Sequence, residues 1–278
     1  MGKLTERGMK TKIRIPAAAI FILFCLFPGG IACDANETPA ADQAAWNELN
    51  APDRSLLDGI LAHWETWMPA KKADGSAPLS RFEALYEGLS AEQKDFLDRV
   101  RAIKPSALEI PPDSGFTRIE DQWIQKQGAK EKLGPQYLPS GVYGAYEKMM
   151  EAMRRDLGKR LYVDSGYRSP AYQLYTFLFF MPKHHYSIRE TREWVALPGH
   201  SEHGDPGRQA IDFINEEGEN GEETAGNFER LPEYAWLVQN AGRFGFELSY
   251  PQNTAGTTFE PWHWRYVIGS KVEGRGSK

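Results

Sequence analysis

Three short runs in the last third of the chain carry residues that could do chemistry: Ser201-Glu202-His203, Ala210-Ile211-Asp212-Phe213 and Glu260-Pro261-Trp262-His263. Together they bring two imidazoles, the carboxylate of Asp212, and that of Glu260 three residues ahead of the last histidine. Three such ligands suit a divalent cation and leave a fourth position open for water. A carboxylate beside that position is the group that takes the water's proton. The chemistry on offer is hydrolysis of a polarised carbonyl.

Each residue also has a plainer reading. Asp212 lies between Ile211 and Phe213. An unpaired charge is disfavoured in that setting, so Asp212 needs a partner, either a metal or an Arg. His263 also reads as a satisfied core histidine, and Glu260 as a solvated surface residue. Pro261 pushes Glu260 into extended geometry. Positions three apart on a regular strand face opposite sides, so a shared pocket requires a bend at Pro261. The joint presence of all four groups favours one site. His200 competes as a ligand if its stretch is helical, but Pro198-Gly199 points to a loop and a rim position. His184-His185 has no carboxylate at ligand spacing and reads as exposed; His63 reads as structural.

The elements that must position these groups follow from periodicity. Leu56, Leu57, Ile60, Leu61, Trp64 and Trp67 predict a helix over 53–68, with Asp53 as its cap. Two further helices are predicted over 79–89 and 90–103, the second with Ser90 and Gln93 at capping-box spacing. Gly141 to Leu157 predicts a helix whose Tyr146, Met149, Met150 and Met153 pack inward; the Met cluster reads as core filling. Leu161 to Val163, Gln209 to Ile214, Phe244 to Tyr250 and Trp262 to Ile268 read as strands. Ala171 to Met181 and Leu231 to Ala241 read as helices, and Asn215 to Gly226 as an acidic surface loop. The expected fold is α+β: a small, mostly antiparallel sheet with flanking helices, plus an N-terminal helical accessory segment.

Four motifs occur in a set order. They are Ser165-Gly166-Tyr167-Arg168-Ser169 with Gln173, Pro198-Gly199-His200-Ser201-Glu202-His203, Ala210-Ile211-Asp212, and Glu260-Pro261-Trp262-His263-Trp264. From about Tyr137 to Val267 the chain resembles the VanY-type D-alanyl-D-alanine carboxypeptidases, in the group of hedgehog-like and DD-peptidase-like metallopeptidases. The resemblance implies one Zn2+ per chain on His203, Asp212 and His263, with Glu260 as general base. It implies that Arg168 binds substrate, with Ser201 and Gln173 as supporting contacts. The implied reaction is removal of the C-terminal residue of a peptidoglycan stem peptide. Endopeptidase or L,D-carboxypeptidase action on the same polymer, and a non-catalytic peptidoglycan-binding module, are the alternatives. The family usually has six residues between the first His and the Asp; this chain has eight, and the extra length falls in the turn from Gly204 to Arg208. A turn can absorb two residues without moving its ends.

The whole chain sets the remaining bounds. Eight Trp and fourteen Phe in 278 residues allow a sizeable core without disulfides. A net charge of -5 argues against broad nucleic-acid binding. Lys3, Arg7, Lys10, Lys12 and Arg14 precede an apolar run from Ile15 to Phe27, the pattern of an export signal. Ala32-Cys33 resembles a bacterial lipoprotein cleavage site, although Gly30 stands where that motif usually has Leu. Ordinary cleavage nearby and an uncleaved anchor are the alternatives. Removal of residues 1–32 takes the net charge to about -9. The expected organisation is an export signal over 1–32, a tether over 33–52, a helical accessory region over 53–112 and a zinc peptidase domain over 113–278. The expected location is the bacterial cell envelope, with membrane attachment only through a lipid on Cys33.

Overall fold

The computed structural model describes residues 48–104, 115–126, 128–205, 207–221, 225–254 and 258–267. The export segment, Cys33, most of the tether and Pro206 lie outside the described residues.

The N-terminal helices begin with α1 (Ala51–Glu65). Its cap is Asn50, whose side chain accepts from the Asp53 amide at 2.9 Å. The cap expected at Asp53 is therefore corrected. Asp53 sits inside the first turn and pairs with Arg99 Nη2 at 2.7 Å. The helix expected to reach Met68 stops at Glu65, and Met68 opens a separate α2 (Met68–Ala73) with Pro69 in its first turn. The predicted helix over 79–89 resolves into a 3-10 turn (Ala77–Leu79) and α3 (Phe82–Tyr86). Next comes α4 (Ala91–Ala102), and its capping box between Ser90 and Gln93 is present in both directions.

Four strands follow that periodicity did not signal: β1 (Phe116–Ile119), β2 (Trp123–Lys126), β3 (Ala129–Lys132) and β4 (Gln136–Pro139). β1 pairs with β4 and β2 with β3, both antiparallel. α5 (Ser140–Leu157) buries Tyr146, Met149, Met150 and Met153, as expected. β5 (Tyr162–Ser165), α6 (Pro170–Phe180), a 3-10 turn (Met181–His184) and α7 (Ile188–Arg192) lead to a 3-10 turn at Glu202–Gly204 and then β6 (Ala210–Ile214). The stretch read as loop through Gly226 gives way to α8 (Ala225–Glu229). α9 (Pro232–Asn240), β7 (Phe246–Leu248) and β8 (His263–Tyr266) complete the described elements. The main sheet has the order β5-β6-β8-β7, and every neighbouring pair is antiparallel. The fold is α+β, with a small antiparallel sheet flanked by helices.

Two apolar cores hold these elements. One joins Leu57, Ile60 and Trp64 of α1 and Phe96, Leu97 and Val100 of α4 to Leu174, Phe177 and Leu178 of α6. The N-terminal helices thus share buried surface with a helix from the second half of the chain. Each fully buried apolar side chain contributes about 1.5–3 kcal/mol, so this packing is substantial. The other core packs α5 and α9 on one face of the main sheet through Val163, Ile211, Phe213 and Trp264. Because side chains alternate along β6, Ile211 and Phe213 point into this core and Asp212 to the opposite face.

Candidate metal centre

Sheet register places Asp212 directly between two strands. Its Cα partner on β8 is His263 and on β5 is Ser165, next to a register shift between Val163 and Ser165. His263 Nδ1 lies 2.7 Å from Asp212 Oδ1. His203 arrives from the 3-10 turn with Nε2 3.1 Å from Asp212 Oδ2. One ligand atom from each of His203, Asp212 and His263 falls within 4.8 Å of the others, and all three residues are buried. The bend required at Pro261 is present: the His263 amide donates to the Glu260 carbonyl at 3.1 Å, closing a turn. Glu260 Oε2 then stands 4.0 Å from His263 Nδ1, on the same side.

The longer turn between His203 and Asp212 is organised by Asp205. Its carboxylate accepts from the Gly207 amide at 2.8 Å and from Arg208 Nε at 3.0 Å. Gly166 and Gly204 permit close backbone approach. A Cβ on Gly166 would collide with the Tyr137 carbonyl, and one on Gly204 would stand 2.6 Å from the Arg168 carbonyl.

The donor set fits a cation. His203 Nδ1 lies 2.8 Å from the Gly166 carbonyl, which can only accept, so Nδ1 carries the proton. Nε2 is left with a lone pair facing a carboxylate oxygen, and it makes no hydrogen bond although buried. Two electron-rich atoms at that separation call for a positive charge between them. Burial, reinforced by the Arg168 charge, depresses His203 to about 4, so the ring is neutral and free to ligate. Burial also works against charge on His263, yet Asp212 and Glu202 overcome it and lift the ring to about 10, so a cation taken up here would have to displace the Nδ1 proton that faces Asp212. Burial pushes the Asp212 carboxyl up; the two imidazoles overcome that and hold it well below the usual range. Glu260 is lifted to about 7, first by burial and further by Asp212 and Glu202, with His263 opposing. A carboxylate in that range can both take and return a proton near neutrality.

The other expected residues are placed as follows. Arg168 Nη2 stands 3.9 Å from Asp212 Oδ2, at the edge of the centre. Ser201 is buried, and its hydroxyl accepts from the His203 amide at 3.4 Å. Gln173 donates to the Ala196 carbonyl at 2.7 Å, while its buried Oε1 has no partner. His200 Nε2 lies 3.0 Å from the Lys104 carbonyl, away from the ligand cluster. His63 meets the Glu87 carbonyl at 2.9 Å. His184, read as exposed, is only 7% exposed and stacks on Trp194; the sequence carries no periodic cue around that turn.

Glu202 is the residue to which sequence reasoning gave no role. Its Oε2 lies 3.1 Å from His263 Nε2, so it accepts that ring's second proton, and its Oε1 accepts from Arg265 Nη1 at 2.8 Å. The Arg265 guanidinium in turn meets Glu247 on β7 at 2.7 Å. Such a carboxylate behind a ligating imidazole fixes its tautomer and orientation. Its adjacency to His203 in sequence was the available signal, but the partner lies 61 residues away. Tyr250 also flanks His263, with ring centroids 5.0 Å apart.

A His-Asp-His cluster with a carboxylate beside it, carried on a small antiparallel sheet, is the arrangement of a hydrolytic metal centre. Comparison with known proteins gives the family. Residues 135–269 match the VanY model, described as D-alanyl-D-alanine carboxypeptidase. The bifunctional D-Ala-D-Ala dipeptidase and D-Ala-D-Ala carboxypeptidase VanXYC of Enterococcus gallinarum is 30% identical over 134 residues, which cover 47% of this chain and 67% of that protein. The protein YodJ of Bacillus subtilis (strain 168) is 33% identical over 141 residues, 50% of this chain and 49% of its own length. The chain thus spans about half the length of that relative, and 26% of a D-alanyl-D-alanine carboxypeptidase of Enterococcus faecalis (strain ATCC 700802 / V583) that it matches at 42% identity. Among solved structures, VanYB in complex with D-alanine-D-alanine is 26% identical, covers 57% of this chain and 81% of its own, and superposes with a TM-score of 0.38. The chain belongs to the VanY family of D-alanyl-D-alanine carboxypeptidases.

Proposed function

We propose that the protein is an exported zinc carboxypeptidase of the bacterial cell envelope that removes the C-terminal D-alanine from D-Ala-D-Ala-ended peptidoglycan stem peptides. The observation that carries this reading is the convergence of His203, Asp212 and His263 within 4.8 Å, with Glu260 beside them. Family membership and the activity for which VanXYC is named support the substrate class.

When bound, zinc supplies Lewis acidity that polarises the scissile carbonyl and brings water within reach of deprotonation near neutral pH. Glu260 takes the proton of the attacking water and returns it to the departing amine. Arg168 pairs its guanidinium with the terminal carboxylate, and the two-pronged geometry sets the register of cleavage at the last residue. Ser201 holds the His203 turn, and Gln173 holds the segment at Ala196. Glu202 keeps His263 turned toward the centre.

The test is metal content together with D-alanine release from a D-Ala-D-Ala-terminated peptide, with and without chelator. Stoichiometric zinc and chelator-sensitive release of one D-alanine are expected. Protein free of metal that hydrolyses nothing, or release of a product other than the terminal residue, would overturn the assignment.

A further inference from the structure

Residues 77–81 lie outside the span matched to the family, yet they close on the loop that carries Arg168. The Pro78 carbonyl accepts from the Ser169 amide at 2.8 Å. The Ser80 carbonyl accepts from the Ser169 hydroxyl at 2.6 Å. Ser169 is fully buried and follows Arg168 directly. The neighbouring residues are held from other sides. The Arg168 amide donates to the His203 carbonyl at 3.1 Å, and the Tyr167 amide to the Tyr137 carbonyl at 2.6 Å. Tyr167 packs on Phe116 with ring centroids 4.4 Å apart. Three consecutive residues are therefore clamped by three separate segments, and the clamp on Ser169 comes from the N-terminal helical region. That clamp is itself anchored, because Ala77 is buried in the core shared by α1, α4 and α6.

We propose that the Ala77–Arg81 segment is a positioning strap. It fixes the backbone next to Arg168 so that the guanidinium stands at the edge of the cation site, and it thereby sets the preference for a free C-terminal carboxylate. The proposal rests on the substrate role given above to Arg168. A guanidinium recognises a carboxylate through two parallel hydrogen bonds, so small rotations of its backbone cost binding. The helical region is in this view part of the specificity apparatus.

Ser169 also caps α6, since its hydroxyl accepts from the Tyr172 amide at 3.0 Å. The experiment must separate the two roles. Ser169→Asp keeps a capping acceptor but has no proton for the Ser80 carbonyl. Ser169→Ala loses both, and Ser169→Thr keeps both. Binding of a D-Ala-D-Ala-terminated peptide and of its C-terminal amide is measured by calorimetry in a Glu260→Gln background, with metal content checked in each variant. Ser169→Asp and Ser169→Ala should weaken the free acid by about tenfold while leaving the amide and the metal content unchanged. Ser169→Thr should match the parent. An acid-to-amide ratio unchanged in both Asp and Ala variants overturns the strap. Arg168→Ala is the control: if it leaves the ratio unchanged, the Arg168 reading fails and the strap with it. If Arg168→Ala abolishes the preference and the Ser169 variants keep it, the strap alone fails.

Discussion

Among single residues, Glu260 and His263 make the sharpest contrast. They are three apart in sequence and 4.0 Å apart at their closest charged atoms, yet the chemistry assigns them different work. Glu260→Gln should retain zinc and lose turnover by about 10²–10⁴-fold, the usual worth of a general base, in paired metal-content and peptide-hydrolysis assays. His263→Ala should lose the metal itself. Glu202→Gln should fold and still bind zinc, but about 10–100-fold more weakly in chelator competition, because the amide no longer offers His263 a charged acceptor. An unchanged zinc affinity would remove the orienting role. The four main groups were legible from residue type and order. Glu202 was not, because its place is defined by a partner on β8, 61 residues away, and no spacing rule connects them.

Local elements were legible where a face is buried continuously. α5 shows its inward side through Tyr146, Met149, Met150 and Met153, and its extent differs from expectation by one residue. β2 and β3 expose nearly all their side chains, so no alternation marks them. They are defined by backbone pairing, which leaves no trace in hydropathy. The cap of α1 was misplaced because Asn50 and Asp53 are both good capping residues, and only geometry distinguishes them. The 3-10 turn ending at His184 yields a pH prediction. Burial lowers His184 below its ordinary value of 6.5, while Glu190 and Glu193 oppose and His185 and Lys183 assist. The unfolded chain then takes up a proton that the fold resists, so the His184 contribution to stability is lost as pH falls below about 6.5 and is constant above it. His184→Gln should flatten the fall of the melting midpoint between pH 7 and 5. An equal fall of the midpoint in the variant and the parent would contradict it.

For the molecule as a whole, the shared core matters most. Leu174, Phe177 and Leu178 of α6 are buried against α1 and α4. Periodicity can mark single helices, but it cannot say which helix completes which core. A chain beginning at residue 113 would present that face of α6 to water. It should be insoluble or melt well below the full chain, whereas Leu57→Ala in the full chain should cost about 2–5 kcal/mol by denaturant titration. A truncated chain that melts at the parent temperature would show that the helices are dispensable for folding.

The cross-strand pairing of Asp212 with His263 has one more consequence. Strand side chains alternate between faces, so sliding β8 past β6 by one position would turn one of the pair away from the other. An ion held here therefore inspects the alignment of the sheet. A correctly threaded chain would gain its affinity, a mispaired one almost none, and cation uptake would then act as a checkpoint on folding.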